Sequence, residues 1–235
     1  MGECLVSAIG NYSTRVADVD LELGERQEAF KFLIHFLADV NQPLHVGFGL
    51  DRGGNKINVR PPWDHPVDKK GNAIENPRVK PLHVVWDSHL IQFAYITGGY
   101  GRWEDLADSY IQDIRNGRYS GEPAAKIDTV SLSIQRADES SGLSCSGAYK
   151  ARGTWIEQSQ SLPLDYFSDA VSIMSEQLKK SGMDIARALN GISQTIAKAD
   201  TTSDASDYEM DVEDDSWENA FGSRDIEDES YMVWP

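Results

Sequence analysis

The nineteen residues ELGERQEAFKFLIHFLADV, positions 22 to 40, restrict the fold more than any other stretch. Their second half places Ala29, Phe30, Phe32, Leu33, Ile34, Phe36, Leu37 and Val40 with almost no polar interruption. Apolar side chains nearly all round a helix predict one that is central and buried. Pro43 ends it, because proline lacks the amide a helix needs. A chain organised round such a helix is expected to be helical elsewhere too, and the periodicity agrees. Leu5, Ile9 and Val16 mark a helix over 3–17, and Trp86, Leu90 and Phe93 mark another over 83–96 that Gly98-Gly99 stops. A further helix is expected over 103–116. Pro123 opens one in which Ile127, Val130, Ile134 and Ala137 keep helical spacing. Two late stripes, Phe167 to Leu178 and Ile185 to Ile196, flank a break near Ser181-Gly182, and the Ser/Gly-rich run 139–147 reads as loop. Asp51 to Asn55 is a turn, Ile57 and Val59 alternate as in a strand, and five prolines make 61–81 a surface loop. The expectation is an all-α, single multi-helix domain over residues 1–199 with a short β-hairpin.

From residue 200 the composition changes. Residues 200–235 hold 13 of the 38 acidic residues and a single base, Arg224, so most of the net charge of −16 lies there. Such a segment cannot bury enough apolar surface to order itself, and a disordered acidic tail is expected. No apolar run approaches the ~20 residues of a membrane span, so no membrane association is expected. The first residues, MGECLVSAIG, lack the basic start and long apolar run of a secretory signal. Cys4 and Cys145 allow one disulfide or none, and Asn11-Tyr12-Ser13 is a glycosylation sequon that matters only in a secreted chain.

Chemistry-bearing side chains concentrate in two patches, HFLADVNQPLHVG at 35–47 and LHVVWDSH at 82–89. Positions i and i+4 share a helix face, so His35 pairs with Asp39 and His83 with Asp87. His45, just past Pro43, adds a fifth group. A single His-x-x-x-Asp pair is commonly a plain hydrogen bond. Two pairs and a third imidazole, all among apolar residues, favour a divalent cation, since a buried carboxylate without a partner loses several kcal/mol of solvation. His65 belongs to the proline-rich loop and is expected to be exposed, and His89 points off the ligand face.

These strings, with the Gly53-Gly54-Asn55 turn between them, resemble the zinc-dependent single-strand-specific nucleases of fungi and plants (S1/P1 type), relatives of bacterial zinc phospholipase C. CLVSAIGNYSTR at 4–15 and AVSIMSEQLKKSGMDIARALN at 170–190 extend the resemblance over about residues 3–198. It implies an all-α fold holding three Zn2+ ions in a cleft. His45, His83 and Asp87 match the ligands of the zinc facing the leaving 3′ oxygen. His35 and Asp39 match ligands of the other two, Asp39 being the bridging, catalytic carboxylate, and Asn55 matches a residue beside the nucleotide pocket. The implied reaction is hydrolysis of phosphodiesters in single-stranded DNA and RNA to 5′-phosphates, with 3′-nucleotidase activity, by a secreted monomer.

The same resemblance implies that the chain starts inside the family domain. The family's zinc-binding terminal tryptophan, and a His, Asp and His that complete its cluster, lie upstream of the segment matched here. One complete zinc site and half of another are then expected, with weak or absent hydrolysis. Cys4 and Cys145 resemble family cysteines whose partners lie in or just before that upstream segment. Ala38 stands where a glycine is usual and Asn41 where a histidine is usual. Two other readings are a non-catalytic zinc-binding remnant, and an interaction protein whose tail, with Trp217, Phe221, Tyr231 and Trp234 among its acids, binds a basic partner.

Overall fold

The computed structural model describes residues 4–62, 79–117 and 128–202, the side chains as far as residue 197. Helices dominate, as expected. They are α1 (Leu5–Ala17), α2 (Leu23–Asp39), α3 (Leu82–Val84), α4 (Leu90–Thr97), α5 (Trp103–Arg115), α6 (Thr129–Leu143) and α7 (Leu164–Thr202). Two π-helical turns, Val85–His89 and Ser144–Ala148, interrupt or extend them. Short strands make up the rest. β1 (Asn58–Arg60) lies between antiparallel β2 (Lys80–Pro81) and parallel β5 (Gln160–Ser161), while β3 (Lys150–Ala151) and β4 (Thr154–Trp155) form a hairpin.

The core has two parts. Ile9 and Val16 of α1 pack with Ala29, Leu33 and Leu37 of α2, with Val40 just past its end, and with Ala188 and Ile192 of α7. Leu44, Val59, Leu82, Trp86, Leu90, Tyr149, Phe167 and Met174 build the other part. The chain crosses from one to the other between Val40 and Leu44, and α7 reaches both. Burial of each large side chain stabilises by about 1.5–3 kcal/mol. Trp86 is fixed further, its indole N–H donating to the Tyr166 hydroxyl at 2.8 Å, which donates in turn to the Ala148 carbonyl at 2.8 Å.

Several sequence expectations need correction. Helix α2 is not apolar-packed all round: Leu33 is fully buried, but Phe30 is 40% exposed, and Phe32, Ile34 and Phe36 are half-buried. Residues 139–147 are not a loop, because α6 continues to Leu143 and passes into the Ser144–Ala148 turn. Its inward face is also not the predicted one. Leu132, Ser133, Arg136 and Ser140 are buried, whereas Val130 and Ile134 are exposed. A buried ion pair decides this, the Arg136 guanidinium donating to Asp184 at 2.7 Å. The expected break at Ser181-Gly182 is absent. The inward stripe of α7 simply turns polar at Gln177, Ser181 and Asp184, and packing carries the helix past a glycine that costs about 1 kcal/mol. Pro123, His65 and the acidic tail from residue 203 lie outside the described residues.

Candidate metal centre

Asp39 is the last residue of α2, and the chain then turns into a 3-10 turn, Pro43–Val46, that carries His45. Gln42 starts that turn by accepting a hydrogen bond from the Leu44 amide at 2.5 Å, and the Ser144 hydroxyl holds the Pro43 carbonyl from behind. His83 lies in α3 and Asp87 in the π-turn that follows, an irregularity common at functional sites.

All five residues singled out by sequence meet in one chain of contacts. His35 Nε2 lies 3.3 Å from Asp39, and Asp39 lies 3.3 Å from His45 Nδ1. His45 Nε2 and His83 Nε2 each lie 3.2 Å from Asp87, on different carboxylate oxygens. The two imidazoles are parallel within 2°, centroids 4.9 Å apart. The expectation of pairs on buried helices needs correcting. His35 is 57% exposed and Asp87 37%, so the cluster lines an open surface rather than a closed interior. His89 turns away, its Nδ1 3.2 Å from the Val84 carbonyl.

Ligand atoms of His45, His83 and Asp87 lie within 4.8 Å of one another, close enough to share one cation. Two imidazoles and a carboxylate, with a coordination position left open, are a donor set suited to zinc. The surroundings aim these atoms inward. His83 Nδ1 donates to the Gly53 carbonyl at 2.8 Å, leaving Nε2 for Asp87, and His45 Nδ1 faces Asp39, which orients its Nε2 likewise. Gln42 donates to Asp87 at 2.7 Å. Gly53 allows this approach through its φ of +62°, since a Cβ there would sit 2.3 Å from the Leu44 carbonyl oxygen.

Electrostatics keep the cluster charged. Burial disfavours a protonated His45, yet hydrogen bonds to Asp39 and Asp87 and the attraction of both carboxylates raise its pKa to about 9. Burial likewise opposes ionised Asp87, but the hydrogen bonds and charge of His45 and His83 hold it well below the usual carboxylate range. His45 therefore holds its proton at neutral pH, between Asp39 and Asp87.

Beside the cluster opens a cleft of about 860 Å³, lined by Asp39, His45, His83, Phe48, Arg52 and Gly53 among others. Asn55 does not line it. Its side-chain amide donates to the Arg52 carbonyl at 2.9 Å and closes the loop that carries Arg52 and Gly53 into the cleft. Sequence reading missed Gln42, Gly53, Phe48, Arg52 and Tyr149. Gln42 left a signal, being an amide three residues before a histidine inside the first patch, and Gly53 left one as part of the Gly53-Gly54-Asn55 turn.

A family model described as S1/P1 Nuclease matches residues 1–194. The chain belongs to the S1/P1 nuclease family. Among curated proteins of this type, the chain is 29% identical over 198 residues to Nuclease PA3 of Penicillium sp, with 80% of this chain and 66% of that protein covered. It is 28% identical over 197 residues to Endonuclease 1 of Arabidopsis thaliana, covering 80% of this chain and 58% of that protein. With Endonuclease 4 of the same plant it shares 30% identity over 200 residues, covering 80% and 60%. This S1/P1-family chain thus spans less than two-thirds of the length of these relatives. Its mostly helical fold is the one the resemblance implied. Among its described residues no helix is long and apolar enough to cross a membrane. Cys4 and Cys145 are free thiols, not bonded to each other.

Proposed function

We propose that the chain is a zinc-dependent endonuclease for single-stranded DNA and RNA that yields 5′-phosphates and acts on 3′-nucleotides, as a secreted monomer. On this reading His45, His83 and Asp87 hold one Zn2+, and His35 and Asp39 contribute to a second metal position. The observation that carries it is the convergence of these five side chains, from two separate sequence patches, in a chain matched to a nuclease family over residues 1–194. A divalent cation bound there supplies Lewis acidity for in-line hydrolysis of a phosphodiester.

The chain's own residues prepare the site for that chemistry. Asp87 stays ionised and takes the charge of the cation. Asp39 orients His45, and the Gly53 carbonyl fixes which nitrogen of His83 faces inward. Arg52, in the cleft wall, offers a cation to a backbone phosphate. Asn55 acts on the nucleotide through the loop it closes around the Arg52 carbonyl.

Zinc back-titration of chelator-treated protein, followed by elemental analysis and by cleavage of labelled single- and double-stranded oligonucleotides, tests this. Zinc-dependent cleavage that is weak, because only part of the family's metal cluster is present, confined to the single strand and lost in Asp87→Asn is the expected result. One zinc bound without cleavage favours the non-hydrolytic reading, and no zinc bound refutes the metal assignment.

A further inference from the structure

We propose that Phe48 and Trp155, backed by the buried Tyr149, form a platform on which an unpaired base of the bound strand stacks, with Lys150 and Arg52 facing its phosphates. This rests on the nuclease reading above and adds a contact surface beyond the metal cluster.

Phe48 follows the turn that carries His45 and forms part of the cleft wall, 45% exposed. Behind it Tyr149 is 2% exposed, ring centroids 5.0 Å apart. Tyr149 is tied to the metal-side loop, its hydroxyl donating to Asp51 at 3.0 Å, and Asp51 accepts the Gly54 amide at 3.0 Å. Trp155, 51% exposed, completes the group at 6.2 Å from Phe48 and 6.5 Å from Tyr149. The three rings tilt by 44° to 51° to one another, so Phe48 and Trp155 do not stack flat on each other. Leaving two large aromatic side chains half uncovered forgoes part of the stabilisation their burial would give. That loss is offset if a planar ligand covers them.

The charge nearby selects the ligand. Lys150 stands opposite Trp155 in the β3–β4 register, and its ammonium lies 4.9 Å from the centre of the indole ring. Arg52 opens into the same cleft as Phe48, and neither cation has an ion pair among the described residues. Another exposed aromatic group on this molecule has the opposite character. Tyr95 and Trp103 already stack on each other at 4.3 Å and 25°, and Glu104 and Asp105 follow Trp103 directly. An anionic strand with unpaired bases fits the first group and is repelled by the second. Stacking on an aromatic ring tolerates any base, which suits a single strand of any sequence.

The test is fluorescence anisotropy of a labelled, cleavage-resistant phosphorothioate single strand on the full chain, with zinc and with chelator. Stacking on one ring contributes enough that Trp155→Ala should weaken binding about tenfold, while Trp155→Phe keeps most of it. Trp103→Ala, at the acidic aromatic group, should bind like wild type. Wild-type binding that Trp155→Ala leaves unchanged overturns the platform and leaves the nuclease reading standing. Failure of the wild type to bind any single strand overturns that reading, and the platform with it. If Trp155→Ala instead dissolves a dimer seen by sedimentation and leaves strand affinity alone, the surface joins copies of this chain and the proposal is wrong.

Discussion

Replacing Gly53 with alanine tests the idea that a backbone contact sets the metal site. The backbone there has φ +62°, and the added Cβ would lie 2.3 Å from the Leu44 carbonyl oxygen and 3.4 Å from His83 Nδ1. Two costs follow. The left-handed conformation costs an alanine about 1–2 kcal/mol. The clash is with backbone, so the 49–54 loop must move, and its carbonyl then leaves His83. Loss of such an orienting hydrogen bond weakens metal affinity by about 10–100-fold. Gly99→Ala supplies the comparison, since Gly99 has φ +69° but nothing within 4 Å of the added carbon. Gly99→Ala should lower the melting temperature by a few degrees, at about 2–4 °C per kcal/mol for a chain of this size, and leave zinc affinity unchanged. Gly53→Ala should lose more stability and also bind zinc more weakly, measured by thermal melts and by competition with a chromophoric chelator. Equal zinc affinity in the two variants would refute the role assigned to the Gly53 carbonyl.

Gln42→Ala removes the donor to Asp87 and the acceptor for the Leu44 amide, so zinc affinity should fall by about tenfold or more in chelator competition, with about 1 kcal/mol of stability lost in urea melts. The metal-free protein should become less stable as pH rises. Because the folded His45 pKa is raised from 6.5 to about 9, its contribution is full below pH 6.5 and lost as pH passes through 9. That loss is at most about 3 kcal/mol, read from melts across this range, and His45→Gln should flatten the curve. Asp184→Ala leaves Arg136, 8% exposed, without its buried partner and should cost about 3–5 kcal/mol in urea denaturation. Adding Arg136→Met should recover much of that loss.

The two patches were legible because their chemistry sits at fixed spacing on strongly periodic segments. His35 with Asp39 and His83 with Asp87 need only the helical repeat to be paired, and the apolar residues between them mark the helices. What sequence could not supply was the partner of each group across the fold. His45 lies between Asp39 and Asp87 only because residues 40–44 cross from one part of the core to the other. Gly53 reads as an ordinary turn residue until the Leu44 carbonyl is set against it. The errors have one physical source, buried polar contacts. Arg136 and Asp184 turn α6 and the middle of α7 toward each other, so a reading based on apolar periodicity picked Val130 and Ile134 as inward and broke α7 where Ser181 is in fact buried.

The length of α7 has a mechanical consequence. Its first half is anchored by Phe167 and Met174 in one apolar group and its second half by Ala188 and Ile192 in the other. A rigid rod clamped at both ends couples their melting, so weakening either group should be felt at the far end of the rod. The histidines and carboxylates lie on the seam between those groups, and so they should come apart only when the whole domain does.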